Sequence, residues 1–132
     1  MEADVHVLDT STWTWTRPLL EAGPAPTPRA GAAAAAAGEN TFVICGGAER
    51  APEGGLLGRG DAWALCLSGD AATARWELLA GEDGPLAPTG RNAHSLTVIG
   101  GATKGARLLL HGGWQPFVRT FDDSHVLTVE QE

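Results

Sequence analysis

The residues that could do chemistry in this chain include four histidines, at His6, His94, His111 and His125, with no tyrosine among 132 residues. A structural or catalytic metal site gathers its ligands at characteristic short spacings, such as His-x₃-His. The four histidines are spread along the chain without any such spacing. The sequence therefore predicts no metal site.

Motifs for catalysis are missing as well. No Gly-x-Ser-x-Gly motif appears, and no Ser-His-Asp arrangement stands out. The glycine-rich pieces Gly54-Gly55 and Gly58-Arg59-Gly60 match neither a P-loop nor a dinucleotide fingerprint. The pair Asp122-Asp123 precedes a predicted strand, where a turn or strand-start role explains it better than acid–base catalysis. We expect no catalytic residue and no cofactor.

Several of these residues instead belong to an internal repeat of about 60 residues. Offsets between matching marks run from 57 (Asp4 to Asp61) to 66 (Cys45 to His111), and the order of the marks never changes. The marks are Asp4-Val5-His6-Val7-Leu8 with Asp61-Ala62-Trp63-Ala64-Leu65 and Asp123-Ser124-His125-Val126-Leu127, Ile44-Cys45-Gly46-Gly47 with Leu110-His111-Gly112-Gly113, Trp15 with Trp76, and Thr27-Pro28-Arg29 with Thr89-Gly90-Arg91. Such a repeat predicts one supersecondary unit used several times, with neighbours burying each other's faces. In this register His6 and His125 take the slot of Trp63, which favours a structural role.

Four short strands per unit are predicted to position these marks. Thr41–Cys45 and 107–111 are apolar runs that end at a glycine pair, which is typical of buried strands. The Asp-x-(His/Trp)-x-Leu segments alternate with period two, and 14–16 and 75–77 carry the tryptophans. Segment 32–37 is six alanines, whose propensity favours helix, but the repeat aligns it with 92–99, which is predicted to contain the innermost strand of a unit. We predict a strand there.

The ordered marks resemble the Kelch repeat. The resemblance covers nearly the whole chain and implies an all-β fold of antiparallel four-stranded blades in an incomplete, open β-propeller of about two blades. It implies a partial propeller over 1–132, with 1–20 as the end of one blade, 28–80 as a complete blade and 90–130 as most of a third. It also implies structural roles for the marks, including tryptophans that fill the gaps between sheets: Gly46, Gly47, Gly112, Gly113, Trp15, Trp63, Trp76, Arg29 and Arg91.

Nine strands cannot close a propeller ring of about four to eight blades. A fragment of a longer protein and a short protein whose copies assemble into a ring both remain open. In either case, unpaired sheet edges predict a tendency to self-associate.

Binding of a protein partner is the expected function, because Kelch propellers often act as recognition or scaffold modules. The long connections fall on one face, where the d–a and b–c loops lie (a to d being the strands of a blade from the centre outward), and rigidly held loops commonly carry binding residues. The candidate contacts are Trp114, Phe117, Arg119, Arg50 and Arg59, since aromatic residues and arginine dominate binding hot spots. For Trp114, packing as core is an equally good interpretation.

The alternative is a non-catalytic piece of a propeller enzyme. Galactose oxidase has similar blades, but its copper-radical site needs a tyrosine, and this chain has none. The Glu-x₃-Asp-x₃-His-type iron constellation of specifier proteins is not found either. Active-site residues of such an enzyme would lie outside this chain.

The composition of the chain indicates which classes of partner it can bind and in which cellular compartment we expect it. A net charge of −7 and scattered arginines argue against nucleic acid, which selects a basic face. No apolar run approaches the length of a membrane span, so we expect no membrane association and a cytoplasmic location. For Cys45 and Cys66, two reduced thiols are favoured, and a disulfide across a hairpin remains open.

Overall fold

The computed structural model describes residues 1–130, and that range contains strands and no helix. The all-β prediction is confirmed. In chain order the strands are β1 Val7–Asp9, β2 Thr14–Thr16, β3 Leu19–Leu20, β4 Ala33–Ala36, β5 Thr41–Cys45, β6 Ala48–Arg50, β7 Leu56–Gly58, β8 Ala62–Leu67, β9 Thr73–Ala80, β10 Ser95–Gly100, β11 Arg107–His111, β12 Trp114–Gln115, β13 Arg119–Thr120 and β14 Ser124–Thr128.

The largest sheet has the order β3-β9-β8-β5-β4, in which β4, β5, β8 and β9 form an antiparallel meander. The register places Ile44 opposite Trp63 and Leu65 opposite Trp76. The alanine run is a strand, as predicted, because each residue of β4 pairs with β5 and Ala37 just beyond it is buried. Pairing within the sheet outweighs the helix propensity of alanine.

A second sheet repeats the first three strands of that meander. It has the order β10-β11-β14, all antiparallel, and Leu110 of β11 lies opposite His125 of β14 just as Ile44 lies opposite Trp63. The N-terminal hairpin β1–β2 pairs Leu8 with Trp15, which matches the pairing of Leu65 with Trp76. The strands predicted from the repeat are therefore present in the described residues, and all strand pairs except that of β3 with β9 are antiparallel.

The core lies between the two larger sheets. One cluster joins Val43 of β5 to Leu108 of β11, both fully buried, with Ala37, Ala106 and Val129 around them. A second cluster, closer to the glycine pairs, joins Cys45, Ala62 and Leu110. Small side chains on β4 and β8 let the larger sheet approach the three-stranded one, with Ala62 of β8 packed in the cluster that contains Leu110.

Two features differ from the sequence predictions. The segment after β2 adds a fifth strand, because β3 pairs in parallel with the outer side of β9. The connections 48–60 and 114–121 are not simple loops, since they contain the hairpins β6–β7 and β12–β13. The favoured prediction for the cysteines agrees with the structure: Cys45 and Cys66 are free, since Cys45 lies opposite Ala62 and Cys66 opposite Thr41, at different ends of the strand pair.

Candidate functional site

Two arginines of the repeat join the ends of strands within one sheet in the same way, Arg29 in the larger sheet and Arg91 in the three-stranded sheet. Arg29 donates from Nη1 to Asp61 Oδ1 at 2.5 Å and from Nη2 to Asp61 Oδ2 at 3.2 Å. Its remaining donors reach the carbonyls of Thr27 and Gly46, and Trp63 Nε1 donates to the same carboxylate at 2.8 Å. We call this set of contacts the first clamp. Both charged side chains are buried.

The second clamp repeats the first around Arg91. Its guanidinium is bidentate to Asp123 and also reaches the carbonyls of Thr89 and Gly112. His125 Nε2 takes the place of the Trp63 indole and donates to Asp123 Oδ2 at 2.9 Å. In both clamps 32 residues separate the arginine from its aspartate. Asp123 is thus held in an ion pair with Arg91, whereas the sequence predicted a turn or strand-start role for it.

The clamps keep their carboxylates ionised. Hydrogen bonds from Arg91, with a further one from His125, hold the pKa of Asp123 well below its usual range. At Asp61, burial raises the pKa, but the hydrogen bonds from Arg29 and Trp63 outweigh it and the net pKa is lowered. Both carboxylates are thus ionised and ion-paired near neutral pH, which makes them unsuited to proton transfer.

Near the N-terminus, the carboxylate of Asp4 accepts a hydrogen bond in the same way as Asp123. His6 Nε2 donates to Asp4 Oδ2 at 2.6 Å, as His125 does to Asp123. This hydrogen bond lowers the pKa of Asp4. Within residues 1–130 no arginine side chain is bonded to Asp4.

Glycine pairs make room for the junction between the sheets. Gly46 and Gly113 have φ of +67° and +97°, and a Cβ on either would lie within 2.8 Å of His94. His94 lies between them, with Nε2 at 2.8 Å from the Cys45 carbonyl. Burial lowers its pKa, so the imidazole is neutral near neutral pH and Nε2–H is the donor. A side chain at Gly46 or Gly113 would therefore collide with His94 at this junction.

The tryptophans of the repeat differ in their surroundings. Trp63 is buried, in agreement with its predicted core role. Trp76 is half-buried and lines a cavity beside the N-terminal segment. Trp15 is 64% exposed, so the prediction that it fills a gap between sheets is wrong for this chain. Among the described residues, β1 and β2 pair only with each other, in a two-stranded sheet.

The hairpins β6–β7 and β12–β13 lie at one end of the two sheets. Gly47 N, at the base of the first hairpin, donates to the Arg91 carbonyl at 2.8 Å, and the neighbouring Asn92 bridges to Trp114 at the base of the second. Phe117 forms the tip of the second hairpin, with φ of +62° and 80% of its surface exposed. The predicted contact residues thus share one end of the molecule.

The predicted contact residues at this end differ in how exposed they are and in what they contact. Trp114 is half-buried and packs edge-on against Phe117, with ring centroids 5.4 Å apart. Arg50 is exposed, whereas Arg59 is ion-paired with both Glu49 and Glu82. Arg119 is exposed and its guanidinium lies 4.8 Å from the centre of the Phe121 ring. Arg59 is therefore mainly structural, while Phe117, Arg50 and Arg119 are accessible.

Exposed apolar residues accompany Phe117 at this end, of which Val118 was not singled out from the sequence, whereas Leu56-Leu57 was considered both as a small surface patch and as packing inward. Val118 is 67% exposed beside Phe117, and Leu56 and Leu57 are partly exposed on the other hairpin. Exposed apolar residues that cluster at one end of a molecule mark interaction surfaces more often than isolated ones do.

A cavity of about 510 Å³ lies between the sheets next to β14. Its lining is mostly apolar, with Leu96, Leu110 and Leu127 on one side and the connection 83–88 on the other. Cys45 also lines it, and burial raises the pKa of that thiol to about 11. A thiol with so high a pKa is a poor nucleophile at neutral pH.

Comparison with known proteins finds no family model and no curated protein that matches this chain. Among the described residues no group of three or more His, Cys, Asp or Glu side chains could hold a metal ion. Over the same residues, the structure has no helix of the length and apolar character needed to cross a membrane.

Proposed function

We propose that this chain is part of a Kelch-type β-propeller and acts as a non-catalytic module that binds a protein partner. On this proposal, 28–80 forms a complete blade, 90–130 forms most of the next and 1–20 forms the end of a preceding one. The recurring strand order and the two clamps at equal spacing support this assignment. The hairpin strands β6–β7 and β12–β13 then belong to the binding face.

The observation that carries the binding function is the exposed apolar end. Phe117 and Val118 project from a hairpin whose base is fixed by Trp114 and by the junction with Asn92. A rigidly held aromatic side chain loses little conformational freedom when it is buried in a partner. The exposed Arg50 and Arg119 provide hydrogen-bond donors at the rim.

Cross-linking and mass spectrometry with the tagged chain as bait test this proposal, followed by calorimetry with each purified candidate partner. We expect cross-links to fall on 48–58 and 114–120. Phe117→Ser combined with Leu57→Ser should weaken binding at least about tenfold, as expected for loss of a hot spot.

Trp13→Ser is the matched control, since Trp13 is 74% exposed in the turn of the N-terminal hairpin and should not affect binding. A purified partner that binds the double variant as tightly as the wild type would overturn this choice of surface.

A further inference from the structure

Thr27 lies in the connection between β3 and β4, which is open to solvent. The side chain of Thr27 is exposed, and residues 22–29 make no backbone-to-backbone hydrogen bond within the part of the chain that the structure describes. Pro24, Pro26 and Pro28 favour an extended backbone in this segment. An exposed, extended segment that pairs with no strand can enter the cleft of a modifying enzyme without disruption of a sheet.

Thr27 is also the only serine or threonine of the chain that is followed by a proline, Pro28. Protein kinases of the proline-directed class act on this dipeptide. Proline has no backbone N–H, so its burial in the kinase cleft leaves no donor without a partner. Thr27 therefore has the local sequence that such a kinase requires.

The repeat contains a natural control for this site. Thr89 has the same position in the repeat and is also exposed. Its carbonyl accepts a hydrogen bond from Arg91 Nε at 3.0 Å. The carbonyl of Thr27 accepts one from Arg29 Nε at 3.1 Å. The residue after Thr89 is Gly90, so the two threonines have similar surroundings and differ in the proline.

The hydroxyl of Thr27 links its connection to the hairpin β6–β7. It donates a hydrogen bond to Glu49 Oε2 and accepts one from Arg29 Nη2 at 3.2 Å. Glu49 lies on β6 opposite Leu57, and its Oε1 accepts a hydrogen bond from Arg59 at 3.1 Å. A charged group added to the Thr27 hydroxyl would thus lie beside one cation and one anion.

We propose that Thr27 is a phosphorylation site for a proline-directed protein kinase and that the phosphate detaches the hairpin β6–β7 from the connection 21–32. In the reaction the γ-phosphoryl group of ATP is transferred to Thr27 Oγ1, the hydroxyl proton passes to the base of the kinase, and ADP leaves. Thr27 then no longer donates to Glu49, and a phosphate with a charge of about −1.5 to −2 repels that carboxylate. Arg29 Nη2 remains in reach as a donor to the phosphate. The site does not depend on whether the hairpin binds a partner.

Phosphorylation of the folded full chain tests the site. The chain is incubated with MgATP and either a purified MAP kinase or a purified cyclin-dependent kinase, and the phosphate is located by mass spectrometry. We expect one phosphate, on Thr27, with either kinase. Thr27→Ala should lose it and Thr89→Ala should retain it. Pro28→Gly gives Thr27 the local sequence of Thr89 and should slow the reaction at least about tenfold.

A peptide of residues 21–32 is the control for recognition of the sequence, and we expect both kinases to phosphorylate it. A folded chain that takes no phosphate on Thr27, whether or not the peptide does, would overturn the site. Equal phosphorylation of Thr89 would overturn it as well, because the proline would then not be the determinant.

Hydrogen exchange followed by NMR tests the effect of the phosphate on the hairpin. The amides of β6 and β7 should exchange at least about threefold faster in the phosphorylated chain, as expected from one unfavourable charge contact near the surface. The amides of β12 and β13 are the internal control and should not change. Glu49→Gln removes the repelled carboxylate, so exchange in this variant should not respond to phosphorylation. Unchanged exchange in the phosphorylated wild type, or an equal response in Glu49→Gln, would overturn the proposed detachment.

Discussion

At the scale of single residues, the first clamp holds two opposite charges almost out of contact with solvent. Arg29 and Asp61 expose only 5% and 7% of their side chains, and Trp63 is the other side chain bonded to the carboxylate. Removal of one partner from a buried ion pair leaves an unpaired charge in the interior. The free-energy cost of that charge is larger than the net stabilisation that the intact pair provides.

Arg29→Ala should therefore lower the free energy of unfolding by about 3 to 5 kcal/mol. Adding Asp61→Asn should recover part of the loss, because a neutral amide is less costly to bury than an unpaired carboxylate. Urea unfolding of the three proteins measures both effects.

Arg50→Ala is the control, since Arg50 is exposed and surface changes of this kind usually stay within about 0.5 kcal/mol. If Arg29→Ala were no more destabilising than Arg50→Ala, the clamp would not be a stabilising contact.

The clamps could have been predicted more fully from the sequence. Arg29, Arg91, Asp61 and Asp123 were all recognised as repeat marks, but they were interpreted separately. The equal spacing of 32 residues in both copies was the signal that could have paired them. The contact of Arg91 with Phe121 carried no such signal, because the first clamp has no matching phenylalanine.

At the scale of elements, the glycine pairs determine how closely one sheet approaches the next. Gly46 and Gly112 share the same position in the repeat and nearly the same φ, +67° and +71°. Their surroundings differ, since a Cβ on Gly46 would lie 2.8 Å from the Arg91 carbonyl oxygen and one on Gly112 would meet nothing closer than 3.6 Å.

Gly46→Ala should consequently be the more destabilising of the two alanine substitutions. Both variants lose about 1 to 2 kcal/mol from the left-handed backbone conformation, and Gly46→Ala loses a further 1 to 3 kcal/mol, roughly, because it overfills the junction. Thermal unfolding of the matched pair isolates the packing contribution. If the two variants lost the same amount of stability, the added methyl group at Gly46 would fit into the junction without a packing penalty.

The main strands were predictable because each has its own local signal. The apolar run of β5 and the alternation of β14 were recognised with bounds within a residue or so of those observed. The strands β3, β6, β7, β12 and β13 were not predicted, since each has only two or three residues and depends on a neighbour for its pairing. Strands that short carry no periodicity to detect.

At the scale of the whole molecule, the sheets end in edges of different kinds. β3 covers the outer side of β9 in the larger sheet. In the three-stranded sheet β14 pairs with β11, and no other strand of residues 1–130 covers its second edge. An uncovered edge offers free backbone groups to another strand.

Val126→Lys should reduce association of the chain at high concentration, because a lysine on an edge strand opposes pairing with another chain. Val126 lies on β14 and is 59% exposed. Light scattering over a range of concentrations measures the change. Val118→Lys, at a hairpin tip that is similarly exposed, is the control for added charge, and an equal effect of the two lysines would contradict a role for the edge.

The equal spacing of the clamps also has a consequence for the order of folding. Each arginine is synthesised 32 residues before its aspartate, which corresponds to roughly 2 to 6 s at a translation rate of about 5–20 residues per second. During that interval the guanidinium is hydrated and β4 and β5 can pair only as a hairpin. Each ion pair is a non-local contact that can form only after the third strand of its sheet has emerged from the ribosome. The two sheets would therefore be stabilised one after the other, starting from the N-terminus.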